Sequence, residues 1–254
     1  AVDRKAWPPA QAPRNGERNG IYVFDPARHD GGKKTLLGEP IRAKGVGEID
    51  EAVDRLCRHP ATARRIADKL ARYFVADTPP PALVEAMTQT FMASDGDITA
   101  VLRTMIASPE FDQSLGTLFK DPNHYLISAL RLGYDGRIIT SPKPAAILLS
   151  RMGQTRFGRL TPDGYSLAAG DWNASGQMTT RFDIAAFLGR GATTLFVATP
   201  GERPSAPPPP LKAILASTGL AAGLAPATRT ALDAAASAPE WNALYFSSPE
   251  FMRR

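Results

Sequence analysis

A chain of 254 residues, 43% apolar and 22% charged, can bury a substantial core and lies far from the composition of a disordered polymer. The net charge of +5 is spread along the chain, which disfavours nucleic acid, whose binders gather their cations on one face. Cys57 is the only cysteine, so an internal disulfide and a cysteine-based zinc site are excluded, and no apolar run approaches the roughly 18 residues of a bilayer crossing.

The chain opens at Ala1 with a polar, proline-rich stretch (Trp7-Pro8-Pro9, then Pro13-Arg14-Asn15-Gly16). No cationic start followed by an apolar core is visible there, so no signal peptide is read, and a processed or truncated N-terminus is expected. Residues 1–47 form an irregular segment, because Gly31, Gly32, Gly38, Gly45 and Gly47 interrupt any helical period. Ile49, Val53 and Leu56 then mark one face of a helix over 48–58, and Ile66, Leu70, Tyr73 and Phe74 mark the next, which starts at Pro60. A third helix follows the triple proline at 79–81 and carries Leu83, Met87 and Phe91; Asp97 looks like the cap of a fourth with the stripe Ile98, Val101, Leu102, Met105 and Ile106. Asp95-Gly96-Asp97 lacks the remaining oxygen ligands of a calcium loop.

Further helices are predicted over 122–132, 142–152 and 178–188, the first two closed by Gly133 and Gly153. Between them, residues 153–177 form a long loop with Tyr165 and Trp172, of a length that is functional or packs as its own small unit. A proline-rich connector at 201–210 leads to a helical cap over 211–254, which leaves 48–200 as the main helical domain. Ser108-Pro109-Glu110-Phe111 recurs as Ser248-Pro249-Glu250-Phe251, and a shared turn between helices accounts for both copies. Only residues 21–24 and 194–197 favour strand, and they could pair as a minor sheet. The fold class is mainly α: a multi-helix bundle of short helical hairpins with long irregular loops and at most a minor β-hairpin.

Three places could carry chemistry. His29, Asp30 and Lys33 lie in a Gly-rich irregular stretch that can approach a ligand, or they order a surface loop. His59, after Arg58 and before Pro60, either binds an anion at a helix start or caps it. Asp163, Asp171 and Trp172 suit a carbohydrate subsite or ordinary turn chemistry, and Arg181 could pair with either carboxylate. Phosphate loops, dinucleotide fingerprints, nucleophile elbows and HExxH helices are absent. No cofactor is read.

Several ordered segments together resemble the bacterial family known as domain of unknown function 1800. They are His29-Asp30 with Lys34-Thr35-Leu36-Leu37-Gly38; His59-Pro60-Ala61-Thr62-Ala63 continuing to Lys69-Leu70; and Phe74-Val75 with Pro79-Pro80-Pro81. Asp95-Gly96-Asp97 leading to Ser108-Pro109-Glu110-Phe111 follows, then Met152-Gly153-Gln154, Pro162-Asp163-Gly164-Tyr165 with Trp172, and the terminal Ser-Pro-Glu-Phe. The resemblance implies the C-terminal half of such a protein, with the missing N-terminal half as one partner. It also implies a periplasmic or extracellular setting and a second partner of the domain-of-unknown-function 1501 family. His124 departs from the family pattern, which leaves it outside a shared site.

The expected function is a binding or assembly module working with a partner protein or a surface polymer. The alternative is a hydrolase or metal-assisted enzyme in which the fold brings His29 and Asp30 against His59, with Asp163 nearby.

Overall fold

Proline sets the register of this chain: five of the eleven α-helices among the described residues begin on one, at Pro60, Pro81, Pro109, Pro122 and Pro226. The first helical position wastes no hydrogen bond on a residue that has no N–H. The computed structural model describes residues 18–19, 22–196 and 207–254. The proline-rich opening, Ile21, Val197 and residues 201–206 of the expected connector lie outside the described residues.

The chain divides into two compact units, Ala1–Lys69 with Pro81–Met105, and Leu70–Pro80 with Ile106–Arg254. The first holds α1 (Gly47–Cys57), most of α2 (Pro60–Phe74), α3 (Pro81–Ala93) and nearly all of α4 (Ile98–Ile106). Its strands are two-residue pairs, β1 (Arg18–Asn19) with β2 (Tyr22–Val23) and β3 (Thr35–Leu36) with β4 (Glu39–Pro40), both antiparallel. Leu37 and Gly38 both take positive φ, 55° and 84°, which makes the two-residue β3–β4 turn possible.

Helix α1 reverses the expected orientation. Its polar face is the anchored one: Arg55 donates to the carbonyls of Leu36, Glu39 and Pro40 at 2.7–2.9 Å, and Glu51 accepts from the Arg42 and Ala43 amides. Ile49, Val53 and Leu56, the expected core face, are about half exposed. Five hydrogen bonds to backbone groups of residues 36–43 have fixed the helix by its charged side. In α2 the buried line is Ala63, Ala67 and Ala71, while Ile66, Leu70 and Tyr73 are half-buried and Phe74 is exposed. Helix α3 buries Leu83, Met87 and Phe91 as predicted, and the Asp97 carboxylate accepts from the Thr99 amide at 2.8 Å to start α4.

The second unit packs α6 (Pro122–Tyr134), α7 (Lys143–Arg151), α8 (Ser175–Gly189), α9 (Leu211–Thr218), α10 (Pro226–Asp233) and α11 (Ala238–Ser247), with α5 (Pro109–Ser114) ahead of them. Its core joins Tyr125, Leu126, Ile184, Leu188, Leu211 and Phe246. The Tyr125 and Tyr134 hydroxyls donate to the Arg181 and Leu188 carbonyls, tying α6 to α8. Gly133 does not end α6; it lies inside the helix because a Cβ there would stand 3.2 Å from Pro209 and 3.3 Å from Phe246. The expected strand at 194–197 is replaced by a 3-10 turn over Thr193–Leu195, where Leu195 is buried and its carbonyl accepts from the Thr140 and Ser141 amides. No helix among the described residues is long and apolar enough to cross a membrane.

Helices α8 and α11 meet at Gly189, where an added Cβ would lie 2.8 Å from the Pro239 carbonyl oxygen and 2.9 Å from the Ala243 nitrogen. Both neighbours are backbone and cannot turn aside. Gly189→Ala is therefore expected to destabilise the protein by ~1–3 kcal/mol through overpacking, against a helix-propensity gain of roughly 1 kcal/mol at a spacious site. The urea midpoint of the variant checks this; an unchanged or higher midpoint would contradict the close approach.

Candidate functional site

Asp121 ends an extended stretch and caps α6, its carboxylate accepting from the His124 amide at 2.8 Å. One helical turn brings the His124 ring over the same carboxylate, with Nδ1 2.8 Å from Asp121 Oδ2. The other ring nitrogen, Nε2, lies 2.9 Å from the Tyr73 hydroxyl. Asp121, His124 and Tyr73 thus form a hydrogen-bonded chain able to pass a proton between a phenol and a carboxylate. Burial works against the Asp121 charge, yet the hydrogen bonds from the His124 ring and amide, with the charges of His124 and Arg254, hold its carboxyl below the ordinary value. Arg254 covers the Tyr73 ring, 4.7 Å from its centroid, and donates to the Tyr73 carbonyl at 2.6 Å.

Beside this chain lies an excess of positive charge. The segment before α6 pairs with the end of the chain, the Lys120 amide donating to the Met252 carbonyl at 2.7 Å. The Lys120 carbonyl accepts from Arg181 Nη2, also at 2.7 Å. Arg181 is fully buried between the rings of Phe119 and Tyr125, at 4.7 and 5.0 Å, and its Nε finds no partner among the described residues. Burial pushes its guanidinium down to about 10. Lys120 is only 8% exposed, and its ammonium makes no hydrogen bond or ion pair among the described residues. Its Nζ lies over the Phe251 ring, 3.9 Å from the centroid. Burial first, then the Arg181 and Arg254 charges, push Lys120 down to about 8.

A family model described as "Protein of unknown function (DUF1800)" matches residues 6–253. The chain belongs to this family. No curated protein and no solved structure matches it.

In this DUF1800 chain most of the nine residues singled out from sequence are held by separate partners, and no two of the nine hydrogen-bond each other among the described residues. His29 Nε2 lies 3.2 Å from Glu48, which also takes Lys34 at 2.9 Å. The Lys34 hydrogen bond, opposed by desolvation and helped by His29, holds the Glu48 carboxyl below its ordinary value. Asp30 accepts from the Gly32 amide at 2.8 Å, a local turn, and Lys33 is exposed. Arg58 pairs with Asp95 at 3.1 Å, and His59 Nδ1 accepts from the Ala61 amide at 3.1 Å, as a cap does. Asp163 is paired with Arg159 at 3.0 Å, which with Thr161 brings its carboxyl down to about 2. Trp172 is buried and donates to the Ser166 carbonyl at 2.9 Å. Arg181 turns to the Lys120 carbonyl, so neither Asp163 nor Asp171 is its partner.

Among the described residues no group of three or more His, Cys, Asp or Glu side chains is arranged to hold a metal ion. The chain of Asp121, His124 and Tyr73 escaped the sequence reading. Asp-Pro-x-His at a helix start is its only local signal, and Tyr73 is 51 residues away.

The Lys120 charge has a definite sign in stability. With a folded value of about 8 against an ordinary 10.5, the unfolded chain binds more protons between those limits, so stability rises as pH rises through that window. Lys120→Met is expected to raise stability at pH 7 by ~2–3 kcal/mol and to flatten the rise between pH 8 and 10. Urea midpoints of both proteins across that range test it; parallel curves would show that the ammonium is not burdened by burial.

Proposed function

We propose that this chain is a binding module that docks a partner protein through the loop between α7 and α8. One observation carries the reading: Phe157 and Leu160 are 95% and 99% exposed on a loop that is otherwise tied down. The Tyr165 hydroxyl donates to the Thr155 carbonyl at 2.7 Å, the Gly158 amide donates to the same carbonyl at 2.9 Å, and Arg159 holds Asp163. At the far end Trp172 clamps Ser166, and the Ala169 amide donates to Asp77 at 2.7 Å. Two large apolar side chains on a pre-ordered loop cost little further entropy on binding and suit an apolar pocket on the partner. Phe157 also takes φ 58°, a backbone conformation that L side chains rarely adopt and that concentrates at functional positions. A protein partner fits these aliphatic and aromatic tips better than a polar surface polymer does. The family resemblance supports a periplasmic or extracellular setting and a domain-of-unknown-function 1501 protein as that partner.

The test is co-purification with a co-expressed partner of that family. Phe157→Ser/Leu160→Ser is expected to leave the thermal midpoint unchanged while weakening the complex by ~10-fold or more, as hot-spot residues do. Retained affinity in the double variant would remove the loop from the interface.

The hydrogen-bonded chain from Asp121 through His124 to Tyr73 favours a second reading, acid–base catalysis with the Tyr73 hydroxyl as the terminal group. Turnover of ester or glycoside reporters that disappears in a fully folded Tyr73→Phe protein would support it. Loss of ~1 kcal/mol of stability in that variant, without turnover by the parent, would make the bond a structural tie between α2 and α6.

A further inference from the structure

We propose that the cavity beside Lys120 binds the carboxylate head of a small amphipathic anion. It is an open, surface-facing depression of about 530 Å³ within the second unit, and Lys120, Arg131 and Arg253 line it. Its one lining carboxylate, Glu250, is already committed, accepting from the Ala225 amide at 2.8 Å and from the Thr228 hydroxyl at 3.0 Å. Glu250 keeps its charge but makes no hydrogen bond or ion pair with Lys120, whose ammonium has no bonded counter-ion among the described residues. Lys120 is nine-tenths buried, and its ammonium lies over the face of Phe251. Neither Arg181 nor Arg254 can relieve it, since both carry the same sign and act on it repulsively.

A buried cation without a counter-charge is costly, and an anion entering the cavity removes that cost directly. The exposed guanidiniums of Arg131 and Arg253 at the mouth add attraction for the same charge and can take a carboxylate in two-pronged fashion. The remaining wall is mostly apolar, with Leu132, Leu220, Tyr245 and Phe251 beside Ser128, and suits a hydrocarbon or aryl body rather than a fully hydrated ion. A carboxylate on a short apolar chain satisfies both halves of this surface. The site is separate from the loop proposed for partner docking and does not depend on it.

Octanoate titrated into the full chain, followed by calorimetry and amide chemical shifts, is the direct experiment. Saturable one-to-one binding is expected, weakened ~10-fold or more in Lys120→Met and several-fold in Arg131→Gln, a surface variant that leaves the core untouched. Inorganic phosphate and 1-octanol serve as the two half-ligands, one with charge alone and one with the apolar body alone. Absence of saturation, or undiminished binding in both variants, overturns the proposal. Equal affinity for phosphate would show that the apolar wall is not used, and equal affinity for octanol that the cations are not; either result overturns it as well.

Discussion

The second unit depends on how closely α8 and α11 approach at Gly189. With no side chain there, the α8 backbone rests against the Pro239 carbonyl and the Ala243 amide, closer than any Cβ would permit. That approach lets the buried Asn242 side chain bridge two carbonyls, Gly189 at 3.2 Å and Pro209 at 2.8 Å. Pro209 in turn presses on Gly133 of α6, alongside Phe246. Two glycines and one amide therefore set the spacing of three helices, and the aromatic cluster of Tyr245, Phe246 and Phe251 fills what remains. The directional bonds of Asn242 also fix the register of these helices, which apolar packing alone specifies less sharply.

From that frame follows the unusual charge distribution around α6. Arg181 is carried into the core by α8 and arrives without a carboxylate. Its guanidinium is stabilised instead by the Lys120 carbonyl and by the quadrupoles of Phe119 and Tyr125. These contacts satisfy hydrogen bonds and attract a cation, but they cancel no charge. The same bond pins the Lys120 backbone, and the Phe251 ring receives its ammonium. The buried cation on α8 and the neighbouring lysine thus repel each other across one carbonyl; the Asp121 carboxylate offsets part of the Arg181 charge but makes no ion pair with either.

Local signals made most of the helical skeleton readable: proline starts, the Asp97 cap, and a positive-φ glycine after α7 and after α9. Burial was harder to read. Helix α1 has a clear apolar stripe, yet Glu51 and Arg55 decide its orientation through bonds to backbone groups 8 to 19 residues away, which periodicity cannot register. In α2 the alanines, not the large residues, form the buried line, which a hydrophobic stripe drawn through the large side chains misses. The candidate site residues do not bond one another for a related reason. Charged and polar residues in Gly-rich stretches drew attention, but short-range partners satisfy them: Gly32 for Asp30, Ala61 for His59, Arg159 for Asp163. The bond from His124 to Tyr73 joins segments 51 residues apart and leaves no periodic trace.

A polar side chain can act on a ligand only with bonding capacity that the fold has left unused. By that measure His59, Trp172 and Asp163, chosen from sequence, differ sharply from Lys120. His59 spends its acceptor on a helix amide, Trp172 its only donor on a carbonyl, and Asp163 its charge on Arg159. Lys120 retains three N–H donors and a full charge in a place where water is scarce and two more cations stand near. Carbonyl dipoles and ring faces were enough to let the chain fold around these cations. They are weaker partners than an anion, so the fold leaves at Lys120 a difference in free energy that a ligand of opposite charge can recover on binding.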